Sequence, residues 1–210
     1  MLTILALVLF QRPLAGQDPL CAPYDDVTCF RTGEQAELAR VRPAVRREAD
    51  TLWVQTDSRA RTFVDEPGPG DGLHMWALRR SAAPPGIVVV DEIQYTGHSH
   101  HVIWMGSGRE QEIECWPFFS PNGRLAFCGF GITDEGGSRA YAAIYSVGAG
   151  HLEQLARVDL GKNEPIQPSW YDSITVRFST RPIEDTRSPE RRRCVLAKAG
   201  NRWQLTSPCP

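Results

Sequence analysis

The sequence predicts an all-β fold of antiparallel meander sheets, propeller-like or stacked, stapled by disulfides, with one short N-terminal helix. A β-sandwich is the alternative architecture. Three observations carry this. Turn formers are plentiful, with 18 Gly and 16 Pro in 210 residues, and they cluster at short intervals between apolar runs. The apolar runs between them are short, and no second helix of useful length is visible. The six cysteines fall into pairs along the chain, as in folds stapled outside the cytoplasm. Consecutive strands with short links favour meanders, because parallel pairing needs long crossovers.

The N-terminus comes first. Met1 to Phe10 is an apolar run followed by Gln11-Arg12-Pro13-Leu14-Ala15-Gly16, which resembles a secretory signal peptide over residues 1–17 without its basic start. The run is too short to span a bilayer, and no later segment reaches 18 apolar residues. The sequence therefore predicts a periplasmic or secreted protein with no transmembrane segment after cleavage. Residues 18–50 are expected to hold a disulfide loop and a short helix, and residues 51–210 the all-β domain. Thr32-Gly33-Glu34-Gln35 has the form of a helix-starting capping box. Leu38, Val41 and Val45 follow at helical spacing, and Pro43 keeps the helix short.

Strands are expected over Thr51–Thr56, Arg61–Asp65, Leu73–Arg79, Ile87–Tyr95, His100–Met105, Arg124–Phe130, Ala140–Val147, Leu152–Asp159, Ile174–Ser179, Arg193–Ala197 and Arg202–Thr206. Between two of them, Ser120-Pro121-Asn122-Gly123 is a turn: Pro presets φ, and Asn-Gly tolerates positive φ. With Pro121 and Asn122 as the central pair, facing residues have numbers totalling 243, Cys115 and Cys128 among them. That register brings the two cysteines within disulfide range. Local pairing also joins Cys21 to Cys29 and Cys194 to Cys209. None has the C-x-x-C spacing of zinc or redox sites.

An internal echo runs through the chain. Pro117-Phe118-Phe119 to Phe127 and Pro168-Ser169-Trp170 to Phe178 share Pro, aromatic, aliphatic and Phe positions at an offset of 51 residues. One further step back aligns Trp76 with Phe127. A period near 50 is typical of propeller blades, and a closed propeller here needs about four of them.

On these residues the chain resembles known families. Phe119 to Phe127 followed by Ile144-Tyr145-Ser146-Val147 resembles the repeat of bacterial periplasmic β-propellers. The wider region Leu52–Phe178, about 60% of the chain, is similar to a family of uncharacterised bacterial secreted proteins. The ordered segments are Ile87–Ile93, Tyr95–Gly97, Val102–Met105, Ser107–Glu110, Ser120–Gly123, Ile144–Val147 and Pro168–Phe178. The resemblance implies architecture and no chemistry.

Composition narrows the function. A formal charge of −2 and no basic stripe argue against nucleic acid as a partner. Arg191–Arg193 is offset by Glu184, Asp185 and Glu190. The motifs of serine hydrolases, zinc proteases and phosphate-binding loops are absent. Asp91 and Glu92 point to opposite faces of one strand and so do not form an acid–base pair. The six tryptophans suit packing between sheets, with Trp116 an alternative binding platform.

The one chemically loaded stretch is Gly97-His98-Ser99-His100-His101. On a strand, His98 and His100 share a face and His101 takes the other. Paired imidazoles can hold zinc or another divalent metal, with His74, Glu110, Glu112 and Glu114 as further donors. A polar cluster near a turn is the competing reading. The sequence thus favours a non-enzymatic binding or structural module, its partner an unidentified protein or envelope component, with no cofactor. A metal-binding protein or small metal-dependent enzyme using His98, His100 and their neighbours is the alternative. A secreted inhibitor is a third reading.

Overall fold

The computed structural model describes residues 27–41, 43–68, 72–78, 83–94, 97–134, 137–185, 187, 191–206 and 209. The expected leader and the Cys21–Cys29 pairing lie outside them, as Cys21 is not described and Cys29 is described only as part of a helix. That helix is α1, Val27–Val41. It starts before Thr32, so the expected capping box sits inside it. Glu34 does not reach back to a cap because its buried carboxylate accepts the backbone N–H of Leu78 at 2.8 Å. A partner in another element outcompetes the local one.

Among the described residues the rest is β, in four antiparallel meander sheets that take up their strands in chain order. The first sheet holds β1 (Val45–Glu48), β2 (Thr51–Gln55) and β3 (Ala60–Val64). The second holds β4 (Glu66–Pro67), β5 (Leu73–Leu78), β6 (Ile87–Gln94), β7 (Gly97–Trp104) and β8 (Glu110–Ile113). The third holds β9 (Pro117–Phe119), β10 (Leu125–Asp134), β11 (Gly137–Val147) and β12 (Leu152–Gly161). The fourth holds β13 (Asn163–Trp170), β14 (Thr175–Pro182), β15 (Arg192–Ala199) and β16 (Arg202–Leu205). Val45 is therefore a strand residue and not helical. The expected boundary at residue 50 falls inside the β1–β2 hairpin.

The sheets pack face to face in the same order. Side chains of β6 alternate between two cores: Val88 and Val90 join Leu52, Val54 and Phe63 of the first sheet, while Val89 joins Phe119, Ala126 and Leu152 of the third. A strand buried on both faces reads as a continuous β-branched run, which is what Ile87-Val88-Val89-Val90 is. The third sheet repeats the device. Ala126 faces the second sheet, and Phe127 faces the fourth, where it meets Val176, Phe178 and Leu196. Each fully buried Val, Leu, Ile or Phe contributes about 1.5–3 kcal/mol by leaving water.

The 51-residue echo lands on equivalent strands. Trp76, Phe127 and Phe178 lie on the second strands of the second, third and fourth sheets. Phe127 and Phe178 face one another with ring centroids 5.2 Å apart. Sheets related by translation along a stack would point both rings the same way. The third and fourth sheets are therefore packed as a sandwich, as the alternative architecture expected. Close approach of β13 to β10 needs Gly131, where a Cβ would come within 2.5 Å of Glu164 Cβ.

The register around the Pro-Asn-Gly turn corrects the expected one. Ala126 pairs with Phe119, Phe127 with Phe118 and Cys128 with Pro117, so facing residues total 245. A two-residue loop with ordinary turn geometry would splay the strands. The chain instead closes on Ser120 and Leu125, with Ser120 N donating to Leu125 O at 2.9 Å and Gly123 at φ 67°. Cys115 is then two residues beyond Pro117, diagonal to Cys128, and the pair still forms a disulfide with Cα atoms 5.6 Å apart. The Cys194–Cys209 disulfide spans 5.5 Å between Cα atoms. No helix among the described residues is long and apolar enough to cross a membrane.

Candidate functional site

The β6–β7 hairpin decides where the histidines go. Glu92 lies opposite Ser99, and Asp91 opposite His100. Alternation then sends Asp91 and His100 to the face toward the third sheet, and Glu92, Ser99 and His101 to the face toward the first. Asp91 and His100 pair closely, with Oδ1 and Nδ1 2.6 Å apart, and the His100 ring meets Trp116 edge-on at 5.4 Å. His98 shares that face opposite Ile93.

The other face gathers more chemistry. His101, 8% exposed, lies at the rim of the core shared by the first and second sheets, 5.0 Å from the Trp76 ring and 6.4 Å from Phe63. Its Nδ1 lies 2.6 Å from Glu110 Oε1, and its Nε2 lies 3.0 Å from Glu92 Oε2. Ser99 Oγ donates to Glu92 Oε2 at 2.8 Å, and Gln94 Nε2 donates to Oε1 at 2.8 Å. His74 Nε2 lies 2.7 Å from the same Oε1. Arg61 of β3 closes the far side by pairing with Glu110. Glu112, opposite His101 on β8, is exposed.

The electrostatics follow from these contacts. Burial pushes the Glu92 carboxyl up, but hydrogen bonds from His101, Ser99, Gln94 and His74 outweigh it and hold the group at about 2. Burial works against charge on His101, yet its hydrogen bonds to Glu110 and Glu92 prevail and raise it. Glu110 is lowered, first by its hydrogen bond with His101, against burial and with the help of Arg61.

Donor atoms of Glu92, His101 and Glu112 lie within 4.8 Å of one another. Among the described residues this is the convergent set of His, Cys, Asp and Glu donors. It contains Glu112, which the sequence had proposed, and His101, which it had set apart from His98 and His100. It adds Glu92, which it had considered only as a partner for Asp91. The β6–β7 register, with Glu92 opposite Ser99, sets Glu92 diagonal to His101 on one face. His74 and Glu110 are drawn in as hydrogen-bond partners of Glu92 and His101. Glu114 lies past the end of β8 and accepts the Tyr141 hydroxyl at 3.0 Å.

A set of one imidazole and two carboxylates suits zinc and other divalent first-row ions. The outer contacts fit as well, since Glu110 fixes the His101 ring and His74 and Ser99 fix the Glu92 carboxylate. No protein-family model and no curated protein matches the chain.

Proposed function

We propose that this protein is an exported, non-enzymatic binding or structural module of the cell envelope, periplasmic or secreted. We place it with the bacterial secreted family of propeller-like repeats that its motifs resemble. Supporting the kinship, the motif segments fall in order on β6, β7, the β7–β8 turn, the β9–β10 turn, β11 and the β13–β14 hairpin. The observation that carries the functional reading is how polar side chains between sheets are used. Trp104 Nε1 donates to Gly148 O at 2.9 Å, Trp170 Nε1 to Phe118 O at 2.8 Å, and Gln111 Nε2 to Leu152 O at 3.1 Å. They tie one sheet to the backbone of the next. Two disulfides add staples suited to an oxidising compartment.

Fractionation of cells that make the protein tests this. The mature chain is expected in the periplasm or medium, beginning near residue 18, with oxidised cysteines and a discrete cross-linked adduct with an envelope component. Recovery in the cytosol with free thiols would sink the proposal.

A second reading, a metal-binding protein or small metal-dependent enzyme, has one specific observation in its favour. That observation is the convergence of Glu92, His101 and Glu112.

A further inference from the structure

An imidazole with a carboxylate at each nitrogen poses a question of proton count. A neutral ring carries one N–H, so it can donate to Glu110 or to Glu92 but not to both. Glu110 is fixed by Arg61 on its other oxygen, which assigns the proton to Nδ1. The Nε2 lone pair then points at Glu92 Oε2, 3.0 Å away, with Glu112 alongside. Three acceptor atoms facing one another repel unless a proton or a metal cation lies between them. A small widening of this 3.0 Å separation, to about 3.3 Å, would seat a tetrahedral ion with bonds of about 2.0–2.1 Å.

We infer that Glu92, His101 and Glu112 hold one divalent transition-metal ion of the zinc type through Glu92 Oε2, His101 Nε2 and a Glu112 carboxylate oxygen. The inference rests on the metal-binding reading and deepens it by naming the ligands. Two carboxylates and a neutral imidazole balance the charge of a divalent ion, while Arg61 balances Glu110. The three ligands come from β6, β7 and β8, so the ion cross-links adjacent strands of the second sheet. Three protein ligands leave a fourth position, and the exposure of Glu112 turns it toward solvent. The site therefore exchanges its metal and accepts a water or an outside ligand there. His98 and His100, on the opposite face, take no part.

The test uses the full mature chain purified without a His-tag or chelator, with zinc as the probe. Elemental analysis is expected to find close to one zinc per chain. Zinc at a hundredfold excess over its dissociation constant is expected to raise Tm by about 5–10 °C. Glu112→Gln keeps the fold, because its side chain is exposed, and is expected to lose at least about tenfold in zinc affinity. Glu92→Gln is expected to lose more, and His98→Ala nothing. Zinc bound equally well by Glu112→Gln and Glu92→Gln, but lost in His98→Ala, would overturn this ligand set and leave the metal-binding reading standing. Wild-type protein that neither retains zinc nor melts higher with it would overturn both.

Discussion

Gln111 and Leu152 bond to each other as two paired strand residues do. The Gln111 amide donates through Nε2 to Leu152 O at 3.1 Å and accepts Leu152 N–H at Oε1, 2.6 Å. One side chain on β8 thereby completes the start of β12 in the next sheet. Gln111→Met keeps the volume and removes both bonds, leaving a buried N–H and C=O unpaired. It is expected to cost about 1–3 kcal/mol, read as a lower urea midpoint with an unchanged m-value. A midpoint equal to wild type would show that water replaces the amide.

Arg47 holds a second joint. Its guanidinium pairs with Glu34 at 2.5 Å and Asp65 at 3.0 Å, all three side chains nearly buried. Asp65 Oδ1 also accepts Trp76 N–H at 2.8 Å, and Arg47 donates to Trp76 O. These groups occupy the edge of β5 beyond the reach of the two-residue β4. Arg47→Met leaves two buried carboxylates uncompensated and is expected to cost about 3–5 kcal/mol. Adding Glu34→Gln and Asp65→Asn to that variant should recover part of the loss in the same denaturation assay.

The two disulfides differ in access. Cys115 and Cys128 are 3% and 0% exposed, whereas Cys209 is only half-buried. Under mild reductant in native buffer, Cys194–Cys209 is expected to open first, with Cys115–Cys128 surviving until unfolding. Timed alkylation and peptide mapping read the order. Replacing Cys115 and Cys128 by Ala is expected to cost about 3 kcal/mol, given their separation of 13 residues.

Tyr141 gives the protein an alkaline limit. Burial, then its hydrogen bond to Glu114 and the charge of that carboxylate, raise its pKa above the ordinary value. The folded state keeps the proton where the unfolded chain, titrating near 10, gives it up. This contribution is complete below pH 10 and is lost as pH rises from there toward the raised folded pKa. Urea stability measured from pH 9 to 11 should fall more steeply for wild type than for Tyr141→Phe. Parallel slopes would count against the assignment.

The central strands were legible in the sequence and several edges were not. All eleven expected strands are present, within a few residues at their ends. The five missed, β1, β4, β8, β9 and β13, are all sheet edges. Edge strands are short, charged or proline-bearing because that blunts pairing with other chains. Val45 therefore reads as the end of the helix, Glu110-Gln111-Glu112-Ile113 is too polar to stand out as a strand, and Pro165 and Pro168 disguise β13. The site was legible in part for the same reason. His101 and Glu112 were visible as residues, but their meeting depends on β8, whose polar sequence hid it. Glu92 depends on hairpin register, which periodicity does not fix.

Each described sheet buries apolar side chains against its neighbours in the chain, so the layers can assemble in chain order. A chain emerging N-terminus first from a narrow pore can dock each hairpin onto the layer already formed. Phe178 reaches Phe127 only 51 positions back. The architecture thus suits stepwise folding: among the described residues each added sheet covers an apolar face of the one before it.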